Sequence, residues 1–241
     1  MLNSFDNLAK RERVIVALDC DLNEAFDLAD TLQGKARWLK VGMTLFYANG
    51  PSVVYALKER GFKVFLDLKF HDIPHQVEGA AASATQTGAD MITMHTMGGL
   101  EMMRAAQRGA EKAALEYGFD TPVTLGITVL TSMDKEALAE IGISRSLAEQ
   151  VCVLAKNAKQ AKISGVVASP QEAAILRELL GPAAYIVTPG VRPLGSDKGD
   201  QSRIATPAQA LENGASHIVV GRPITQAADP ASAFEDIIAS L

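Results

Sequence analysis

The residues best suited to chemistry are Asp67, Lys69 and Asp72, carried in the stretch Lys63-Val64-Phe65-Leu66-Asp67-Leu68-Lys69-Phe70-His71-Asp72-Ile73-Pro74. Val64, Phe65, Leu66 and Leu68 make an apolar run that reads as a core strand closed by Pro74. Residues two apart on a strand share a face, so Asp67 and Lys69 point the same way. Asp72 follows just past the strand end, within reach of the same space. Two acids and an ammonium at the mouth of an apolar strand are costly to desolvate unless they pair. Two readings are open at this point. The group is a structural ion pair capping the strand, or it is a site whose charges serve a reaction.

The surrounding elements must decide between them. Arg13–Asp19, Trp38–Met43, Met91–Thr96, Val123–Leu130, Gly165–Ser169, Ala184–Gly190 and His217–Pro223 are further apolar runs. Helical stretches alternate with them. Asp21 caps a helix running to about Gln33. A helix from about Thr44 to Arg60 carries a break at Gly50-Pro51. Pro74 opens a helix that ends at Gly88, and others span Leu100–Tyr117 and Arg145–Ala161. Pro170, Thr206-Pro207 and Pro230 begin the last three. The connection Thr131–Ser144 holds a short helix of its own, and Val191–Arg203 is a polar, aperiodic loop expected to be mobile. The strands are continuous rather than alternating, as in a parallel sheet covered by helices on the outside.

Eight strand–helix units in 241 residues, with no linker between halves, predict a single-domain TIM (β/α)8 barrel over residues 1–241. An open doubly wound sheet is the alternative. It calls for a glycine fingerprint after the first strand, and Leu18-Asp19-Cys20-Asp21 has no glycine.

Composition narrows the function classes. The hydrophobic content is 48% and the formal net charge −5, without a basic block, which disfavours nucleic acid as a partner. Cys20 and Cys152 have neither metal-ligand spacing nor a disulfide framework, and are expected to be buried small hydrophobes. The polar stretch Met1–Arg13 lacks a signal-like apolar segment, and no run has the length of a membrane span, so a cytoplasmic protein is expected.

In a TIM barrel the site lies at the C-terminal ends of the strands. Those ends carry Asp19, Lys40, Asp67, Lys69, Asp72, His95, Thr131, Pro189-Gly190-Val191-Arg192 and Gly221-Arg222. Charge recurring at strand ends inside apolar runs favours a site over a solvated face. After strands seven and eight, Arg192, Arg222 and the backbone near Gly221 suit a dianionic phosphate.

The chain resembles the orotidine 5′-phosphate decarboxylases of the bacterial type. Their signature Asp-x-Lys-x-x-Asp-Ile-Pro is matched by Asp67–Pro74. The resemblance extends in the same order through Val16–Asp19, Leu39–Gly42, His95 with Gly98-Gly99, Val129–Ser132, Thr188–Arg192 and Val219–Ile224. It implies removal of the C6 carboxylate of orotidine 5′-monophosphate to give uridine 5′-monophosphate and CO2, with no metal or organic cofactor. It further implies that Lys69 stabilises and protonates the ring carbanion, with Asp67, Lys40 and Asp72 in one charged array. Asp19 and Lys40 would hold the ribose. Thr131, or Ser132 next to it, would contact the base. Gln201 would bridge base and phosphate, and Arg192, Gly221 and Arg222 would grip the phosphate. Ile73, Gln76 and Pro189 complete the substrate-binding set, with Gln76 standing where the family usually carries Thr. Asp72 is implied to enter a partner subunit's site, making an active homodimer. His71 reads as a packing or dimer contact, His95 as support for its strand end, and His75 and His217 as surface or helix-end residues.

Two other functions compete. A magnesium-dependent decarboxylase or aldolase acting on a keto-sugar phosphate resembles the same barrel, but needs a further carboxylate ligand near the motif. A non-catalytic nucleotide-binding barrel would have no need of an ammonium set between two carboxylates.

Overall fold

The computed structural model describes residues 3–193 and 205–241. The chain alternates β1 (Val14–Leu18), α1 (Leu22–Leu32), β2 (Trp38–Gly42), α2 (Met43–Asn49), α3 (Ser52–Glu59), β3 (Lys63–Phe70), α4 (Pro74–Gln86), β4 (Met91–His95), α5 (Gly99–Tyr117) and β5 (Val123–Ile127). It continues with α6 (Lys135–Glu140), α7 (Leu147–Ala161), β6 (Gly165–Val167), α8 (Ala173–Leu180), β7 (Tyr185–Thr188), α9 (Pro207–Glu212), β8 (His217–Val220), α10 (Arg222–Thr225) and α11 (Pro230–Ser240). The strands pair in parallel in sequence order, and β8 closes on β1. This is the TIM barrel expected from the apolar runs.

Each strand buries both faces, which is why its sequence is a continuous apolar run. On β1, Val14, Val16 and Leu18 pack outward in the shell shared with the helices, whereas Ile15 and Ala17 point into the barrel. The interior cluster is Ile15, Ala17, Trp38, Phe65, Met91, Leu125, Val187 and Val219. Gly165 on β6 has a packing reason, because a Cβ there would lie 2.0 Å from the Tyr185 carbonyl oxygen of the neighbouring strand.

Local signals position the helices as expected in most places. Asp21 accepts from the Glu24 amide to cap α1, and Ser146 and Thr206 form capping boxes at α7 and α9. The Gly50-Pro51 break divides the expected single helix into α2 and α3, with Gly50 at φ 67°.

Several boundaries differ from expectation. β5 ends at Ile127 rather than Leu130, because its neighbour β6 stops at Val167 and offers no further ladder partner; Thr128 makes the last bond, to the Val167 carbonyl. β8 ends at Val220, and Arg222-Pro223 starts α10 instead, since proline cannot donate to a ladder but suits a helix start. Pro170 lies in a turn closed by the Glu172 amide on the Ser169 carbonyl, so α8 begins three residues later.

Cys20 and Cys152 are only half-buried. His217 is a larger departure. It is 3% exposed, caged by Phe5, Trp38 and Tyr185 at the base of the barrel, instead of on the surface. No described helix is long and apolar enough to cross a membrane. The polar loop expected over Val191–Arg203 lies outside the described residues from position 194 onward, and Gln201 lies outside them with it.

Candidate active site at the C-terminal mouth of the barrel

The side-chain period of two turns the barrel core into a map of the site. Stepping by two from the interior cluster leads from Ile15 through Ala17 to Asp19, from Trp38 to Lys40, and from Phe65 through Asp67 to Lys69. The same step leads from Met91 through Thr93 to His95, from Val187 to Pro189 and from Val219 to Gly221. On β1 to β4, polar groups therefore replace apolar ones on the inward face toward the C-terminal end, whereas β7 and β8 lead to Pro189 and Gly221.

A cavity of about 580 Å³ opens there. Asp19, Lys40, Asp67, Lys69, Thr131, Pro189, Arg192, Gly221 and Arg222 all line it. Ser132 does not, so Thr131 is the residue of that pair facing the cavity. Lys40, Lys69, Arg192 and Arg222 bring four cations to this mouth against three acids, Asp19, Glu24 and Asp67, in a chain of net charge −5. Lys40 and Lys69 pair with Asp19 and Asp67, so the side that carries Arg192 and Arg222 is the one that favours an anionic group.

Two ion pairs organise the floor. The Lys40 ammonium donates to Asp19 Oδ1 at 2.8 Å, and the Lys69 ammonium donates to Asp67 Oδ2 at 2.8 Å. Lys40 and Asp67 are almost enclosed, with side chains 10% and 12% exposed, whereas Lys69 is 26% exposed and open to the cavity. Lys69 has φ 53°, a left-handed conformation that costs a non-glycine residue about 1–3 kcal/mol. The pair facing together was expected from strand alternation, but the backbone reaches it through this turn rather than through regular strand geometry.

Asp72 is not part of that array within one chain. His71 to Gln76 are all exposed, Ile73 at 63%, and none of Asp72, Ile73 and Gln76 lines the cavity. Asp72 Oδ1 accepts from the Ile73 amide at 2.6 Å, at the turn into α4.

Arg192 is 8% exposed and anchored: its amide donates to the Ala205 carbonyl, and its guanidinium donates to the Val191 carbonyl at 2.9 Å. The His95 ring lies tilted against that of His71, with centroids 5.2 Å apart, and burial together with the neighbouring His71 and Lys69 lowers its pKa. Among the described residues no group of three or more His, Cys, Asp or Glu side chains is placed to hold a metal ion.

Sequence reasoning missed Cys20 and Thr93. Cys20 lines the cavity, and burial, followed by Glu24, Asp21 and Asp19, raises its thiol pKa to about 11, which keeps it protonated and unreactive near neutral pH. Thr93 is fully buried. Its hydroxyl donates to Asp67 Oδ1 and accepts from the Lys69 amide, both at 2.9 Å. The two-residue step from Met91 was the signal that would have found it.

A closed parallel barrel with its charged cavity at the strand C-termini defines a TIM-barrel enzyme. Residues 12–237 match the orotidine 5′-phosphate decarboxylase / HUMPS family, and the chain belongs to that family. It is 49% identical over 233 residues to an orotidine 5′-phosphate decarboxylase of Moorella thermoacetica, covering 96% of this chain and 92% of that protein. It is 48% identical over 230 residues to the enzyme of that name from Actinobacillus succinogenes, covering 95% and 97%. Among solved structures, the orotidine 5′-phosphate decarboxylase of Lactobacillus acidophilus superposes with a TM-score of 0.83 at 40% identity, covering 94% of this chain and 97% of that one.

Proposed function

We propose that this chain, one barrel domain over residues 1–241, converts orotidine 5′-monophosphate into uridine 5′-monophosphate and CO2, without a metal or organic cofactor. The observation that carries the reading is the Lys69–Asp67 pair, held at 2.8 Å on the floor of a cavity that Arg192 and Arg222 also line. The C6–carboxylate bond breaks, the electron pair stays on C6, and CO2 departs. That carbon delocalises charge poorly, so a fixed ammonium beside it lowers the barrier electrostatically. Lys69 then delivers its proton to C6 as general acid. Asp67 keeps Lys69 charged and aimed.

Asp19 accepts from ribose hydroxyls and Lys40 donates to one of them; their 2.8 Å pair keeps both groups polarised toward the sugar. Thr131 contacts the base, Pro189 packs beside it, and Gln201 bridges base and phosphate. Arg192, Gly221 and Arg222 bind the phosphate. Binding energy from a phosphate remote from C6 is expressed in turnover when it drives closure around the reacting ring.

Asp72, Ile73 and Gln76 serve the site of a second copy in a homodimer. Their exposure outside the one-chain cavity, including an Ile73 side chain open to water, supports a surface that another copy covers. The substrate is a polyanion that does not cross a bilayer unaided, which supports a cytoplasmic home.

The decisive test is ultraviolet loss of orotidine 5′-monophosphate with EDTA present. Full turnover is expected. Loss of turnover on chelation would transfer the case to a metal-dependent decarboxylase or aldolase, and tight uridine 5′-monophosphate binding without turnover would make the chain a nucleotide-binding barrel.

A further inference from the structure

The hydroxyl of Thr93 occupies a junction that the mechanism above does not use. β3 and β4 pair regularly at Phe65↔Met91 and Leu66↔Ile92, but pairing resumes only at Phe70↔Met94. Three residues of β3, Asp67, Leu68 and Lys69, thus stand opposite the single residue Thr93 of β4. A bulged segment loses ladder bonds. The Lys69 amide donates instead to Thr93 Oγ1 at 2.9 Å. The same hydroxyl gives its single proton to Asp67 Oδ1 at 2.9 Å, leaving Oδ2 for the Lys69 ammonium.

Thr93 is 0% exposed, so water cannot replace either bond. One buried hydroxyl thereby fixes the backbone from which Lys69 springs, in its left-handed conformation, and the rotation of the carboxylate that aims its ammonium. We infer that Thr93 is a positioning residue for the proton-donating lysine, setting turnover without touching the nucleotide. Valine has the same branched shape but no hydroxyl. It would leave the half-buried Lys69 amide without this partner and one Asp67 oxygen unheld. Both penalties fall on the geometry at C6, and neither falls on the ribose or phosphate contacts.

The inference rests on the decarboxylase reading, and the test separates the two. Thr93→Val is expected to lower kcat by on the order of ten- to a hundredfold, the range for a lost hydrogen bond to a charged group. KM for orotidine 5′-monophosphate and the affinity for uridine 5′-monophosphate should stay within about threefold, and Thr93→Ser, which keeps the hydroxyl, should recover most of the turnover. Parent-level kcat in Thr93→Val, or equal losses in the valine and serine variants, would overturn the inference.

If Thr93→Val does not fold, Thr93→Cys takes its place. Its thiol is a weak donor and a weak acceptor, so turnover should fall with nucleotide affinity kept. Parent turnover in the cysteine variant overturns the inference equally. A crystal structure of whichever variant folds judges the tie without any assay. Lys69 is expected to leave its positive φ or its contact with Asp67, and an unchanged pair refutes the role. A parent protein inactive on orotidine 5′-monophosphate would strike the functional reading alone, because this structural comparison still decides the fate of Thr93.

Discussion

Acid should destabilise this barrel through His217. The imidazole stacks on Tyr185 with centroids 5.5 Å apart, and meets Phe5 and Trp38 edge-on at 5.7 and 5.9 Å. Its Nδ1 lies 3.1 Å from the Ser216 hydroxyl. Burial first, and then the positive charges of Arg13 and Lys63, push its pKa down to about 3 from the ordinary 6.5. The unfolded chain therefore binds a proton at this position more readily than the folded one. The stabilisation is fully present above pH 6.5 and is lost progressively as pH falls from 6.5 toward 3.

Each pH unit in that window carries about 1.4 kcal/mol for one proton, so the whole shift approaches ~5 kcal/mol as an upper bound. That is comparable to the entire stability of many domains. Carboxylates titrate over the same range, so the comparison must be with a variant that lacks only this proton site. His217→Phe keeps an aromatic ring in the cage and removes the titration; the Thr188 hydroxyl contact is to the backbone carbonyl of residue 217 and survives the change. Urea unfolding at pH 7, 6, 5 and 4 should show the parent losing stability more steeply than the variant, by about 1 kcal/mol per unit below pH 6. Parallel curves for the two proteins, or an NMR titration placing the His217 pKa near 6, would refute the reasoning.

Two further outcomes are expected. Arg222→Ala should weaken binding of uridine 5′-monophosphate by roughly ten- to a hundredfold, the scale of a charge-assisted contact, while leaving uridine affinity nearly unchanged; calorimetry with both ligands checks this, and equal losses would remove Arg222 from the phosphate site. Mixing inactive Lys69→Ala chains with inactive Asp72→Ala chains should restore about a quarter of the parental activity per site if subunits exchange at random and sites are shared. No recovery after demonstrated exchange would place Asp72 outside the partner's site.

The barrel was legible because strands buried on both faces leave an unmistakable apolar trace, and because charge recurred where those traces end. Strand lengths were less legible, since a strand stops where its neighbour does. Val129 is as good a strand residue as Val123, yet β6 has already ended beside it. The lysine of the site could be located by alternation, but not its left-handed backbone, which depends on a threonine 24 residues away. His217 was misread for the same reason. Nothing within its own segment announces a cage built from Phe5, Trp38 and Tyr185, three side chains remote in sequence. Asp72, Ile73 and Gln76 are legible as a motif, whereas their exposed place outside the one-chain cavity is not.

The interior cluster of the barrel and the floor of the cavity are partly the same atoms. Ala17, Phe65 and Val219 belong to both. Adaptation to a different ring is therefore unequally available around this site. Replacements among the rim groups, such as Thr131 or Arg222, alter recognition while the packing below stands. A change to Phe65 would reshape the bed of the ligand and hollow the centre of the barrel in one step, so a lineage exploring new substrates is steered toward the rim, and its floor stays the same while its preferences diverge.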